Sequence, residues 1–434
     1  MSKMLTIDKV VKSVSITHKF DKPILKFLNT SDVENGKIIN INHLPISELK
    51  GQAKKTIKKD DILFSEIRPK NRRFAYIDFD ETDEFVVSTK LMVLRNINKE
   101  VDNKYFYYYL TNDHMLSILQ DRAENRIGSF PQITFDLLSE YSIRVPDISE
   151  QQKIAAILSS LESKIELNNK INDNLEHMAK TIYDYWFVQF DFPNASGKPY
   201  KSSGGKMVWN DELKREIPDL KEWSVGTLLD IADYVNGLPC QKFRPTGEEF
   251  LRVIKIREMN EGFSANTEFV RTDIPEKAII ENGDVLFSWS ASLDVKIWTG
   301  GKGALNQHIF KVTSENYPKS FYFYQLLNYL QHFKMMAENR KTTMGHITQE
   351  HLKQSRIVIP PKELTIELEK IIAPLFAKKI NNEIENQKLS ELRDWLLPML
   401  MNGQVKVGDA EKMVNDNLSM AAEPRGVYKK SKVK

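Results

Sequence analysis

The sequence predicts a mixed α/β (α+β) protein with two similar globular domains and two long helices that pack as an antiparallel coiled coil. Three observations support this fold class. The chain has 434 residues, enough for two cores of roughly 150 residues each. Its two halves share short motifs in the same order, and each half ends in a long segment with helical apolar periodicity.

The internal repeat defines the two globular domains. The matched segments, in chain order, are DILFS (61–65) with DVLFS (284–288), YFYYYL (105–110) with YFYQLL (322–327), Ile-Thr (133–134) with Ile-Thr (347–348), and YSIRVP with SRIVIP, which end at residues 146 and 360. Four ordered matches indicate two copies of one domain. We therefore predict globular domains over residues 1–147 and 223–361.

Each domain is followed by a predicted long helix, at residues 148–190 and 362–400. In the first, apolar residues recur every three or four positions. A helix of about 37 residues is about 55 Å long, so we expect the two helices to pack on each other rather than each cover its own domain, which is the alternative. Asn168 and Asn382 lie near the predicted contact and would fix its register, whereas Pro374 should bend the second helix or delay its start.

The remaining segments are predicted to be connecting regions. Residues 191–222 are rich in Gly, Ser, Pro and Lys in their first half, a composition typical of a linker. Residues 401–434 are polar and end in KKSKVK. We expect the latter to form a mobile tail.

Composition excludes several classes of protein. With 41% hydrophobic and 28% charged residues, the chain is typical of a soluble globular protein, and no run reaches the ~18 apolar residues of a membrane span. The N-terminus has no apolar signal core, so we expect a cytoplasmic protein without a membrane partner. The single cysteine, Cys240, and the spacing of the eight histidines predict neither a disulfide framework nor a metal site.

Catalytic motifs are missing from the sequence. There is no Asn/Asp-Pro-Pro-aromatic motif of a methyltransferase, and no GxxxxGK[ST] loop that would bind phosphates. One string resembles a nuclease motif, with Pro146-Asp147 followed by Glu162 and Lys164. Residues two apart on a helix do not share a face, so this pair is unsuited to a metal site. We predict no catalytic residues.

Local basic and polar clusters are the candidate DNA contacts. Between residues 50 and 73 the chain has nine basic and three acidic residues, although the net charge is only +3. Such a cluster suits phosphate and base contacts, but it also suits a solvated strand edge. The candidates here are Lys54, Lys55, Lys58, Arg68, Lys70, Arg72 and Arg73.

Further candidates follow from the repeat and from loop composition. The segment after DVLFS contributes Ser288, Trp289, Ser290 and Lys296, and a nearby polar group contributes Asn306, Gln307 and His308. A loop before the last strand of each domain combines small, polar and basic residues, which suits a DNA groove but also a tight turn. Its candidates are Asn125, Arg126, Gly128, Ser129 and Gln132 in the first half, and Arg340, Lys341, Thr342, Thr343, Gly345 and His346 in the second.

The sequence closely resembles the specificity subunits of type I restriction-modification enzymes over roughly residues 5–407. The segments that carry the likeness are GKPYKSSGGKMVWNDELKREIP (197–218), PDISEQQKIAAIL after the first domain, and LRDWLLPMLMNGQV at the end of the second helix. The resemblance implies that each globular domain is a target recognition domain for one half of a split DNA sequence. It also implies that the helices separate the domains and dock methyltransferase subunits.

The resemblance further implies which partners and cofactors the chain works with. Its partners would be double-stranded DNA, two methyltransferase subunits and restriction subunits, with no cofactor in this chain. S-adenosylmethionine, ATP and Mg would belong to the partner subunits, giving the complex adenine methyltransferase and ATP-dependent endonuclease activity. The alternative is a helical adaptor that assembles protein partners and binds DNA nonspecifically. Neither reading specifies the DNA target.

Overall fold

A computed structural model describes residues 2–49, 51, 53–125, 131–339 and 346–421. Within these residues the chain forms two compact units. One contains residues 2–164 and 389–421, and the other contains residues 165–388. Each unit includes one globular domain and part of each long helix.

The first domain is a mixed α/β fold, as predicted. Its strands are β1 (Lys3–Thr6), β2 (Val11–Ser13), β3 (Ile24–Leu28), β4 (Val33–Glu34), β5 (Lys37–Ile38), β6 (Asn42–Pro45), β7 (Ala53–Lys55), β8 (Ile62–Ser65), β9 (Phe74–Tyr76), β10 (Phe85–Ser88), β11 (Leu91–Asn96) and β12 (Ser142–Val145), and its helices are α1 (Asn103–Thr111), α2 (Asp113–Glu124) and α3 (Phe135–Ser139). Two four-stranded sheets, β2-β11-β8-β9 and β6-β3-β10-β7, accompany the antiparallel pair β1-β12. Leu28, Leu63, Val87 and Val93, from both large sheets, share one buried core.

The first long helix, α4 (Ile148–Tyr183), ends in a π-helical turn at Asp184–Val188. The predicted linker that follows is not a flexible connector. It contains the hairpin of β13 (Met207–Asn210) and β14 (Arg215–Pro218). Phe190, Phe192 and Tyr200 are buried in the aromatic core of the second unit, because apolar burial outweighs the flexibility that the Gly- and Ser-rich composition suggests.

The second domain repeats the topology of the first. Its strands are β15 (Ser224–Thr227), β16 (Asp233–Asn236), β17 (Phe250–Ile254), β18 (Phe269–Arg271), β19 (Ile279–Ile280), β20 (Val285–Ser288), β21 (Asp294–Ile297), β22 (Gly303–Leu305), β23 (Ile309–Thr313) and β24 (Arg356–Ile359), and its helices are α5 (Leu228–Ile231), α6 (Ile256–Glu261), α7 (Lys319–Asn339) and α8 (Gln349–Gln354). The sheets β16-β23-β20-β21 and β18-β17-β22-β19 match the two large sheets of the first domain, and β15-β24 matches β1-β12. A parallel pair occurs at the same place in both, β3 with β10 and β17 with β22.

The second long helix, α9 (Lys362–Met401), runs without interruption through Pro374. Of the two predicted effects of this proline, a bend or a delayed start, the delayed start does not occur. Pro374 lies on the exposed side, where water can satisfy the carbonyl that loses its amide partner. The predicted polar tail begins with a further helix, α10 (Val407–Ala421), which buries Ala410 and Val414.

In the second unit the two long helices are joined by a series of buried amides. The Asn168 Nδ2 donates to the Asn386 Oδ1 at 2.9 Å, and the Asn382 Nδ2 donates to the Asn172 Oδ1 at 2.8 Å. Lys379 and Glu176 form an ion pair at 2.7 Å farther along. Partner numbers fall on one helix as they rise on the other, so the helices are antiparallel there. The prediction that Asn168 and Asn382 lie in the contact is confirmed, and their hydrogen bonds specify a single register.

Candidate nucleic-acid interface

The aspartate of the repeated DILFS and DVLFS motif is explained by contacts that stabilise the fold, not by DNA binding. In the first domain the Asp61 carboxylate accepts two hydrogen bonds of 2.7 Å from Arg95 on β11, and a third from the Lys58 amide at 2.7 Å. In the second, the Asp284 carboxylate accepts from the Glu281 amide at 2.9 Å and pairs with Lys311 on β23 at 2.9 Å. In both domains the aspartate accepts the backbone amide three residues before it and pairs with a basic residue of the neighbouring strand, which explains why this motif recurs.

Three segments meet at one edge of the first domain. Residues 66–68, which follow β8, pair with residues 131–133: the Ile133 amide donates to the Glu66 carbonyl at 2.8 Å, and the Arg68 amide donates to the Pro131 carbonyl at 3.1 Å. The Glu66 amide donates to the Lys90 carbonyl at 3.2 Å. We call residues 66–70, 88–90 and 131–133 the first edge. The fold thus brings two predicted DNA-contact segments together and adds a turn that sequence reasoning missed.

Arg68 and Lys70 are the exposed cations of the first edge. Arg68 has a left-handed backbone, φ 46°, which turns the chain sharply after β8. Within the described residues, neither side chain has an ion pair or hydrogen bond. The side-chain amide of Gln132 donates to the Glu66 carboxylate at 2.8 Å, and the side chain of Asn125 donates to the Asp121 carbonyl at 2.8 Å. Arg68 and Lys70 are therefore the side chains most available to a phosphate or a base.

Three other candidates of the first half serve the fold or lie elsewhere. Lys55 is buried, and its ammonium donates to the carbonyls of Thr89 and Leu91 at 3.0 and 2.8 Å; burial lowers the pKa of Lys55. Lys54, its neighbour, is exposed on β7. Lys58 is exposed at the opposite end of β8 from Arg68, about 13 Å away for a four-residue strand.

The side chains of Arg72 and Arg73 are bound to other residues of the first domain. The Arg72 guanidinium donates to Asn35 at 2.6 Å and forms an ion pair with Asp113. Arg73 donates to the carbonyls of Ser31 and Val33, both at 3.3 Å. These contacts occupy donors that were predicted to contact DNA phosphates and bases. We therefore leave both arginines out of the proposed interface.

An equivalent edge exists in the second domain. The Trp289 amide donates to the His308 carbonyl at 3.4 Å, and the Ile347 amide donates to the Trp289 carbonyl at 2.9 Å. These bonds match those of Glu66 in the first domain. We call residues 289–290, 306–308 and 346–347 the second edge. The Trp289 ring lies 5.6 Å from that of His308 and 5.4 Å from that of His346, so this edge is aromatic where the first is cationic.

Several second-half candidates support this edge instead of facing outward. Ser288 is fully buried, and its hydroxyl donates to the Ser292 carbonyl at 2.6 Å. Ser290 and Asn306 are also buried. Lys296 is bound to Asn260 at 3.0 Å and to Asp294 at 3.5 Å. Gln307 and His308 are half-buried, and His346 is exposed, which leaves these three and Trp289 as the side chains available to a ligand.

Some candidates lie outside the described residues. These are Arg126, Gly128 and Ser129 in the first half, and Arg340, Lys341, Thr342, Thr343 and Gly345 in the second. The segments that carry them begin or end at residues of the two edges, namely Gln132 and His346. Their assignment as DNA contacts stays a prediction.

Neither a metal-binding cluster nor a membrane-spanning helix occurs in the described part of the chain. Over the described ranges, no three His, Cys, Asp or Glu side chains come together as a metal site would require. In the same part of the chain, no helix has both the length and the apolar character needed to cross a bilayer.

Comparison with known proteins identifies the family. A family model described as the type I restriction modification DNA specificity domain matches residues 9–177 and 220–394, one match for each half of the repeat. The chain belongs to this family of type I restriction-modification specificity subunits. It is therefore a noncatalytic DNA-recognition subunit that assembles with partner subunits.

Individual relatives agree with the family. The chain is 30% identical to the type I restriction enzyme HindI specificity subunit of Haemophilus influenzae, over 91% of this chain and 97% of that protein. It is 28% identical to the MjaIX specificity subunit of Methanocaldococcus jannaschii, over 71% and 70% of the two chains. The fold is similar to the S subunit from M. genitalium, with a TM-score of 0.56 at 14% identity, covering 92% of this chain and 96% of that one.

The exposed cations of the first edge lead to a prediction about DNA affinity. Replacing both Arg68 and Lys70 with Ala should reduce DNA binding by the assembled complex, and the salt dependence should fall by about one unit of slope for each lost phosphate contact. The measurement is affinity at several salt concentrations. Lys58→Ala is the control, because this exposed lysine lies at the far end of β8. An equal effect of Lys58→Ala would mean that only total charge matters.

Proposed function

We propose that this specificity subunit reads a bipartite DNA target, with each globular domain reading one half through its own edge. The observation that carries the proposal is the pair of equivalent edges. Both have the same strand order and the same backbone hydrogen bonds, but they present different side chains. A common frame with cations on one copy and aromatic and imidazole groups on the other suits two readers of different base sequences.

The long helices are proposed to dock two methyltransferase subunits, with restriction subunits completing the complex. In this proposal S-adenosylmethionine is bound by the methyltransferase subunits, and ATP and Mg are bound by the other partners. The complex would then methylate adenine and cleave DNA in an ATP-dependent reaction. This chain supplies the sequence preference of both activities.

Domain exchange tests the proposal of two independent readers. Replacing residues 1–147 with the equivalent domain of a relative should change one half of the target and leave the other half unchanged, because each edge is built within its own domain. The measurement is genome-wide mapping of methylated sites in cells that express the chimera with the methyltransferase subunit. A change in both halves would contradict the proposal, since it would require one composite reading surface.

The same assay distinguishes a helical adaptor from a DNA reader. An adaptor would bind DNA without sequence preference, so neither exchange of the first domain nor of the second would alter the methylated sequence.

A further inference from the structure

The short turns 88–90 and 306–308 occupy equivalent places in the two domains. Each connects two strands that belong to different sheets, β10 to β11 and β22 to β23. The Lys90 amide donates to the Ser88 Oγ at 3.3 Å, and the His308 amide donates to the Asn306 Oδ1 at 3.3 Å. The carbonyls of Lys90 and His308 accept hydrogen bonds from the Glu66 and Trp289 amides. Lys90 and His308 are therefore matching positions on a shared backbone frame.

Different hydrogen bonds fix the backbone of each turn. In the first domain the buried Lys55 ammonium binds the carbonyls on both sides of Lys90. In the second, the Leu238 amide donates to the Leu305 carbonyl at 2.8 Å, and the Gln307 amide donates to the Leu238 carbonyl at 2.9 Å. A Cβ at Gly237 would lie 2.3 Å from the Leu305 carbonyl oxygen, so only glycine permits this approach. Fixed backbones of this kind position a side chain accurately.

The two side chains are placed to meet a ligand. Lys90 is half-exposed, and within the described residues its ammonium has no hydrogen-bond or ion-pair partner. His308 packs on Trp289, and its Nδ1 is buried without a hydrogen-bond partner among the described residues.

We propose that Lys90 and His308 are specificity-determining residues, each contacting a base edge in the half-site of its own domain. The inference rests on the proposed function and adds residues to it. A phosphate contact would call for a cation in both copies, whereas here a donor-only lysine is matched by an imidazole that both donates and accepts. Lysine suits the N7 and O6 acceptors of guanine. His308, with Gln307 and Trp289 beside it, suits a different base.

The test compares Lys90→Ala and His308→Ala in the full chain assembled with the methyltransferase subunit. Methylated sites are sequenced from a randomised DNA library. Lys90→Ala should lower discrimination at one base pair of the first domain's half-site by about 5- to 100-fold and leave the other half unchanged. His308→Ala should do the reverse. The domain exchange above establishes which half belongs to which domain.

Matched controls separate this effect from general charge or folding effects. Lys99→Ala removes an exposed lysine beyond the other end of β11, and His332→Ala removes an exposed histidine on α7; both should leave the target unchanged. Lys90→Gln keeps a hydrogen-bonding side chain of similar reach. It should alter the preferred base, and it serves as the test if Lys90→Ala fails to fold.

The outcomes distinguish this inference from the proposed function. Unchanged discrimination in both variants would overturn the inference that Lys90 and His308 contact bases. A uniform loss of affinity with a smaller salt slope would also overturn it, because Lys90 would then be a phosphate contact. Independent half-site reading would still stand if the domain exchange altered one half only. If Lys90→Ala relaxed both halves equally, the proposed function itself would fail.

Discussion

Replacing Asp61 with Ala is expected to lower the free energy of unfolding of the first domain by about 3 kcal/mol. The carboxylate is fully buried, and its removal leaves the Arg95 guanidinium without its partner. Breaking a buried pair from one side costs about 3–5 kcal/mol. We take the lower end because the Arg95 side chain keeps 22% exposure and can reach water in part. The Lys58 amide loses its acceptor as well.

Native-state hydrogen exchange measures this loss where it occurs, because it gives opening free energies for individual segments. The amides of β8 and β11 should lose protection. Asp80→Ala is the control, since the Asp80–Lys59 pair is exposed and should contribute at most about 1 kcal/mol. Equal losses in the two variants would show that the buried pair has no special role. Asp284→Ala should have a smaller effect, because Asp284 and Lys311 keep 26% and 19% exposure.

The repeat could be predicted from sequence because its motifs specify the fold itself. Asp61 and Asp284 each bind the amide three residues before them and a basic residue of the neighbouring strand, and the aromatic start of YFYYYL is a buried helix in which Tyr105 and Phe106 are at most 1% exposed. Such residues are constrained by local geometry, so they recur in both copies. The apolar periodicity of the long helices and the asparagines between them were predictable for the same reason.

The DNA-contact candidates were harder to predict because sequence proximity is a poor guide to a surface. Lys58 and Arg68 lie beyond opposite ends of strand β8, and the side chains of Arg72 and Arg73 are engaged in tertiary contacts. Lys90 stands alone in sequence, so no local cluster of charge marks it. Only the backbone bond between Glu66 and Lys90 places this residue beside Arg68.

The segment 191–222 shows a related limit of composition. Gly, Ser and Lys are frequent there, but Phe192 and Tyr200, with Phe190 just before the segment, pack with Trp223 in one core, with the Phe192 and Trp223 rings 5.1 Å apart. A few aromatic residues bury 150–250 Å² each, enough to order a chain that otherwise resembles a linker. The spacing of those aromatics was the signal that sequence reasoning missed.

The last prediction is that the helical pair sets the number of unread bases between the half-sites. Four residues inserted in α4 after Asn172, together with four in α9 before Asn382, should lengthen the unread gap by one or two base pairs. Four residues add about 6 Å to a helix, close to two base-pair steps of ~3.4 Å. They complete roughly one turn, so the buried face is preserved. Mapping of methylated sites beside the parent protein measures the gap.

The insertion must be paired because of the antiparallel hydrogen bonds between the helices. Asn172 bonds to Asn382, and Asn168 bonds to Asn386, so equal insertions at these points keep every amide opposite its partner. An insertion in α4 alone moves Glu176 one turn away from Lys379 if the amide pairs are kept, and if that ion pair is kept it leaves buried amides unpaired, each costing about 1–3 kcal/mol. We therefore expect the single insertion to lose stability and activity, whereas the paired one keeps both half-sites. A paired variant with full activity and an unchanged gap would show that the helices do not determine the spacing.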